Sequence, residues 1–177
     1  MKLLIASDIH GSNYYCEKLI KKFIASQSDK LILLGDILYH GPRNNLPTDY
    51  DPKKVIALLN PIADKIICVR GNCDAEVDNM VLDFDVLADH TYLVCENTNF
   101  YLAHGHHELQ NLQAGTIYLS GHTHIPLIEK LENDILHVNP GSTSIPKGNF
   151  AASFAIYENK TITIYDFDDK IINSVEL

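Results

Sequence analysis

Five short stretches carry side chains able to hold a metal ion or move a proton. They are Asp8 and His10 in "SDIH", Asp36 in "GD", Asn72, Cys73 and Asp74 in "GNCD", His104 in "LAH", and His122 and His124 in "GHTH". Residues two apart in extended chain point the same way, so Asp8 with His10, and His122 with His124, reach toward one ligand as pairs. Two carboxylates, four imidazoles and one amide oxygen make seven donors. That exceeds the four positions of a tetrahedral zinc, but two ions are served if one carboxylate bridges. Taken singly, each residue has a bland reading: an Asp after a strand caps a turn, and a His is ordinarily a satisfied side chain. Turn chemistry alone does not produce the set, because turns favour Gly, Pro, Asn, Asp and Ser and not His.

The elements that must position these groups can be read from the apolar runs. "KLLIAS", "KLILLGD" and "KIICVR" are short buried strands. Between the first two, Leu19, Ile20, Phe23 and Ile24 fall at helical spacing after a capping Ser12. "DPKKVIALLNPIA" opens a second helix, with Asp51 at the cap and Pro52 in the first turn. The order βαβαβ predicts a parallel sheet with right-handed crossovers. Later, "TYLVC" and "NFYLAH" flank a turn at "ENT", "TIYLSG" is a buried strand, and "IPLIEKLEND" and "ILHVN" flank a further turn. "ASFAIYENKTITIYDF" is strand, turn, strand. "HELQNLQAG" (107–115) is expected as one short helix. Every chemical group sits at the C-terminal end of a strand, the edge where open α/β sheets bind ligands. The fold class expected is α/β, with two packed mixed β-sheets flanked by helices in four layers, and a single domain spanning 1–177.

Composition narrows the function. The chain has 177 residues, 46% hydrophobic and 21% charged, with a net charge of −9 from 14 basic and 23 acidic residues. An acidic surface repels phosphate polymers, so no nucleic-acid polymer is expected as partner, and an anionic substrate needs a local source of positive charge. The N-terminus meets a charge too soon for a signal peptide, and no apolar run is long enough to cross a membrane. The four cysteines, Cys16, Cys68, Cys73 and Cys95, form no CxxC pair. They are expected as free thiols in a reduced, cytoplasmic protein.

In this order, "DIH", "GD", "GNCD", "AHGH" and "GHTH" resemble the calcineurin-like metallophosphoesterase family, whose pattern is D-x-H, G-D, G-N-H-[DE], a His, and G-H-x-H. The stretches "GDILYHGPRNNLP", "VRGNCDAEVD" and "NPGSTSIPKG" are similar to its small bacterial phosphodiesterases. The resemblance implies two divalent transition-metal ions per chain, Mn²⁺ first, with Fe, Ni²⁺ or Zn²⁺ as alternatives. One ion would be held by Asp8, His10, Asp36 and His124, the other by Asp36, Asn72, His104 and His122, with Asp36 bridging. Two such ions would activate a bridging water for in-line attack on a small phosphodiester. Asn72, Cys73 and Asp74 would be catalytic, Asp74 by orienting Asn72 or by capping a turn.

Cys73 departs from the family, which has a His at this position that is credited with helping the leaving group depart; the small bacterial branch has the same Cys. Arg43 is the candidate for binding substrate phosphate. His40, His106 and His107 are weaker candidates, and "NPGSTSIPKG" is a turn-rich loop bordering the site. The alternatives are a phosphomonoesterase or nuclease, or a scaffold like the retromer coat subunit that shares this fold and has lost metal-binding residues. A homo-oligomer is left open by the sequence.

Overall fold

The computed structural model describes residues 1–109 and 111–177. Strands β1 (Leu3–Ala6), β2 (Lys30–Leu33) and β3 (Ile66–Cys68) pair in parallel. Helices α1 (Asn13–Ser26) and α2 (Pro52–Leu59) carry the crossovers between them. Ser12 caps α1 by accepting the N–H of Tyr15 at 3.4 Å, and Asp51 caps α2 through Lys54 at 3.2 Å. Leu19 and Phe23 are buried, whereas Ile24, expected on the same face, is 66% exposed. It lies about 100° around the helix from Phe23, past the edge of the apolar stripe.

The second half supplies β4 (His90–Cys95), β5 (Thr98–Ala103), β6 (Ile117–Leu119), β7 (Pro126–Lys130), β8 (Leu136–Pro140), β9 (Ser153–Glu158), β10 (Thr161–Asp166) and β11 (Ile171–Glu176). The strands form two mixed sheets, ordered β11-β10-β9-β1-β2-β3 and β4-β5-β6-β8-β7. Within the second sheet β5, β6 and β8 run parallel. β11 was not legible as a strand, and "HELQNLQAG" forms no helix among its described residues; Gln110 lies outside them. A segment this short gains too few intrahelical bonds to offset nucleation. Leu109 stays 38% exposed, and Leu112 instead packs on Tyr101, Tyr118 and Ile135.

Alternation along each strand splits the apolar side chains between two layers. Leu3, Ile5, Ile32 and Leu34 meet Phe100, Leu102, Ile117, Leu119 and Val138 between the sheets. Leu4, Ala6, Leu31 and Leu33 meet Cys16, Leu19, Phe23, Val55 and Leu59 beneath the helices. All four cysteines are free, and only Cys73 is not buried. No helix among the described residues is long and apolar enough to cross a membrane.

Candidate metal centre

The loops that follow β1, β2, β3, β5 and β6 meet at one edge of the two sheets. They approach so closely that the glycines before the chemical residues cannot carry a side chain. A Cβ on Gly71 would lie 2.1 Å from Asp36 Oδ1, and one on Gly121 would lie 1.9 Å from Ser7 Oγ. Asp8, His10, Asp36, His122 and His124 all have positive φ, between 50° and 67°. Such left-handed backbone is costly for residues other than Gly and collects at functional sites.

Asp8, His10, Asp36, His104 and His124 are buried, His122 is half-buried and Asn72 is exposed. Three of the rings are fixed by backbone carbonyls. His10 Nδ1 bonds Tyr39 O at 2.7 Å, His104 Nδ1 bonds Leu34 O at 2.6 Å, and His124 Nδ1 bonds Ile145 O at 2.5 Å. Because a carbonyl only accepts, each Nδ1 carries a proton, and each Nε2 is the nitrogen turned toward the site, able to bind an ion once it has no proton of its own. His10 Nε2 and His124 Nε2 then face each other at 3.3 Å. Asp8 Oδ1 lies 3.1 Å from His124 Nε2 and 3.4 Å from His10 Nε2. It is buried without a hydrogen-bond partner among the described residues.

Asp36 divides its two oxygens. Oδ1 accepts the N–H of Cys73 at 2.7 Å. Oδ2 stands 3.6 Å from His10 Nε2 and 3.5 Å from His104 Nε2, between the two halves of the site. On the far side, Asn72 Oδ1 is 3.2 Å from His104 Nε2 and 2.7 Å from His122 Nδ1. Donors bound roughly 2.0–2.2 Å from one ion stand roughly 3.0–3.6 Å from each other. Most of these separations fall in that range. An unpartnered buried carboxylate oxygen beside converging ring nitrogens is unfavourable without a cation, so the residues fit the metal ions that the sequence pattern implies.

The electrostatics point the same way. Burial raises Asp8, but the rings of His10 and His124 beside it reverse this and hold its carboxyl far below the usual range. Burial likewise opposes ionisation of Asp36, and His104 outweighs it, keeping Asp36 low. The His104 ring is disfavoured as a cation by burial, yet Asp36 and Asp8 push it up to about 9. His10 is raised by Asp8 against its own burial. His122 and His106 are lowered by burial and by the neighbouring His104, His106 to about 4. The centre therefore retains its carboxylates as anions and gathers positive charge.

The remaining candidates divide. Asp74 is buried and does not reach the centre. Its carboxylate accepts three backbone N–H groups, from Asp36 at 2.7 Å, Ile37 at 2.8 Å and Gly71 at 2.7 Å. It ties the loop after β2 to the loop after β3, and burial pushes its pKa up to about 6. The Cys73 thiol is pushed up to about 12 by burial and by Asp36, so it stays protonated; Asn72 Nδ2 donates to its sulfur at 3.2 Å. Arg43 lines a cavity of about 480 Å³ over the centre, with Asp36, Asn72, His122 and His124. Asn44, Thr123 and Lys147 complete that lining and were not singled out from the sequence. His106 and His107 line a separate cavity of about 220 Å³ behind His104. His40 packs between Tyr39 and Tyr50.

The chain is similar to known proteins along nearly its whole length. Over 176 residues the chain is 43% identical to the phosphodiesterase YfcE of Escherichia coli K12, covering 97% of this chain and 95% of that one. The structure of E. coli YfcE superposes with a TM-score of 0.95 at 43% identity, covering 99% of this chain and 98% of that one. Vacuolar protein sorting 29 of Cryptosporidium parvum, at 17% identity and a TM-score of 0.63, covers 98% of this chain and 95% of its own and shares the fold alone. Residues 1–161 match the calcineurin-like phosphoesterase superfamily domain. The chain belongs to the calcineurin-like phosphoesterase superfamily.

Proposed function

We propose that this chain is a cytoplasmic, metal-dependent phosphodiesterase of a single domain, acting on small phosphodiesters. The observation that carries the reading is the shared Asp36 Oδ2, standing between two sets of inward-facing donors. On this reading Asp8, His10, Asp36 and His124 hold one divalent ion, and Asp36, Asn72, His104 and His122 hold the other. Mixed imidazole and carboxylate donors suit Mn²⁺, our first choice, or Fe, Ni²⁺ or Zn²⁺, and suit Mg²⁺ poorly. When bound, the ions supply an activated water and offset the charge that develops on the phosphoryl group. They also resolve the difficulty of drawing an anion to a chain of net charge −9.

The protein's own groups do the rest. The backbone carbonyls of Tyr39, Leu34 and Ile145 lock three rings in the ligating tautomer. Asp74 fixes the backbone on both sides of the bridging carboxylate. Arg43, at the cavity wall, is placed to take a substrate phosphate oxygen. The Cys73 thiol, held protonated, is a poor proton donor for a leaving group. The identity to a phosphodiesterase over nearly the full chain supports this reading over the scaffold.

The test is hydrolysis of a panel of phosphodiesters and phosphomonoesters by Mn²⁺-loaded protein, before and after a chelator. Turnover of diesters above monoesters that is lost on chelation supports the reading. Monoesters turned over faster, or turnover surviving complete metal removal, contradicts it.

A further inference from the structure

The cavity over the centre is lined by more basic than acidic side chains, histidines aside. Among the described residues Asp36 is the only carboxylate in its lining, while Arg43 and Lys147 stand at its walls. The ion pairs of lysine and arginine side chains involve Lys2, Lys22, Lys54, Arg70 and Lys130. Among the described residues Arg43 and Lys147 have no acidic partner, as is true of seven other basic side chains, but these two share one cavity with the centre.

The two cations come from loops far apart in sequence, and each loop is bound to a ring of the centre. The Arg43 loop begins at Tyr39, whose carbonyl holds His10 at 2.7 Å. It is closed by Asn44, which donates to His40 O at 2.9 Å. Lys147 donates its own N–H to His124 O at 3.1 Å, two residues after Ile145 holds the His124 ring. The Cα positions of both cations are thereby set relative to the centre, and only their side chains remain to swing.

A simple phosphodiester carries one negative charge, and two divalent ions already oppose it. Arg43 and Lys147, lining the same cavity, supply more positive charge than that single anion requires. They match a second anion carried on one of its ester groups, with Arg offering a forked pair of donors and Lys a point charge. We propose that Arg43 and Lys147 form a second anion subsite, and that the substrate class is a small phosphodiester bearing an additional terminal phosphate. The proposal rests on the phosphodiesterase reading and deepens it.

The test compares two diesters with the same leaving group, ethyl p-nitrophenyl phosphate and 2-phosphonoethyl p-nitrophenyl phosphate, on Mn²⁺-loaded protein. The parent should favour the phosphonate-bearing diester in kcat/KM by about tenfold or more, mainly through KM, the order expected for a charge-assisted hydrogen bond. Lys147→Ala and Arg43→Ala should each reduce that ratio by about tenfold, and Lys147→Arg should restore most of it. Equal rates on both diesters, or a ratio that no variant alters, overturns the subsite and leaves the phosphodiesterase reading standing. Hydrolysis of neither diester overturns that reading, and the subsite with it.

Discussion

Gly71→Ala adds a single methyl group, and its consequence follows from three distances. The new carbon would lie 2.1 Å from Asp36 Oδ1, 2.3 Å from the Asp36 backbone N and 2.8 Å from Asp36 Cγ. Carbon contacts below 3.0 Å are essentially never seen, so Oδ1 must retreat by at least 0.9 Å or the loop must move instead. Oδ1 is also the acceptor for the Cys73 N–H at 2.7 Å, and Gly71 N–H is one of the bonds to Asp74. Overpacking of this kind costs about 1–3 kcal/mol of stability. A displacement near 1 Å in a catalytic group costs about 10²-fold in rate. We expect Gly71→Ala to fold, with Tm lowered by several degrees, less than two metals per chain, and kcat/KM reduced about 100-fold. Gly115→Ala is the control. Its φ is +77°, so it carries backbone strain, but nothing lies within 4 Å of the added carbon. It should lose stability and keep both metals. Metal analysis, thermal melts and steady-state kinetics on the three proteins decide the matter. A Gly71→Ala protein with full metal content and kcat/KM within threefold of the parent would refute the crowding argument.

Three further outcomes are expected. His122→Ala and His124→Ala should each lose one ion preferentially, because His122 Nδ1 faces Asn72 while His124 Nε2 faces Asp8; loss of the same ion from both variants, followed by titration calorimetry, would sink the assignment. Metal affinity should fall as pH drops, since without metal the His104 ring binds a proton up to a pH of about 9, which an ion must displace. Binding below that pH should release protons, measurable as a buffer-dependent heat, and an affinity independent of pH between about 6 and 9 would contradict it. Cys73→His should flatten the fall of rate with rising leaving-group pKa and help poor leaving groups most, up to about 10²–10⁴-fold, because general-acid help matters where departure is hard. A parent already insensitive to the leaving group would show that another donor is present.

The residues of the candidate centre were readable because their types are unusual where they stand. A His at the end of an apolar run is not what a turn needs, and five such ends form a set. The same logic failed for groups whose types are ordinary in their places. Lys147 closes a Pro- and Gly-rich loop, where a solvated lysine is unremarkable, and only the fold brings it to the cavity that Arg43 also lines. Asp74 is read from the sequence as orienting Asn72 or capping a turn; it does accept the Gly71 N–H of its own turn, but its carboxylate also serves the backbone of a loop 37 residues away. Nothing local signals that pairing. β11 escaped because its inward residues, Ile172 and Val175, are three apart and break the period of two, while the partner strand slips register between Ile164 and Tyr165. The expected helix at 107–115 failed because a short polar segment has no intrinsic reason to nucleate, and its Leu112 found better company on the outer face of the second sheet.

The account's central claim is that Asp36 is shared between two metal ions. The direct measurement is metal stoichiometry per chain, after reconstitution with Mn²⁺ and removal of loose ions, for the parent and for Asp36→Asn, with diester hydrolysis followed in parallel. Asp36 Oδ2 lies within 3.6 Å of ring nitrogens on both sides, and removing its charge weakens both sites at once. The parent should hold two ions, and the variant should lose affinity for both and hydrolyse no diester above background. A parent that binds a single ion, or an Asp36→Asn protein that keeps two ions and normal turnover, would contradict the claim.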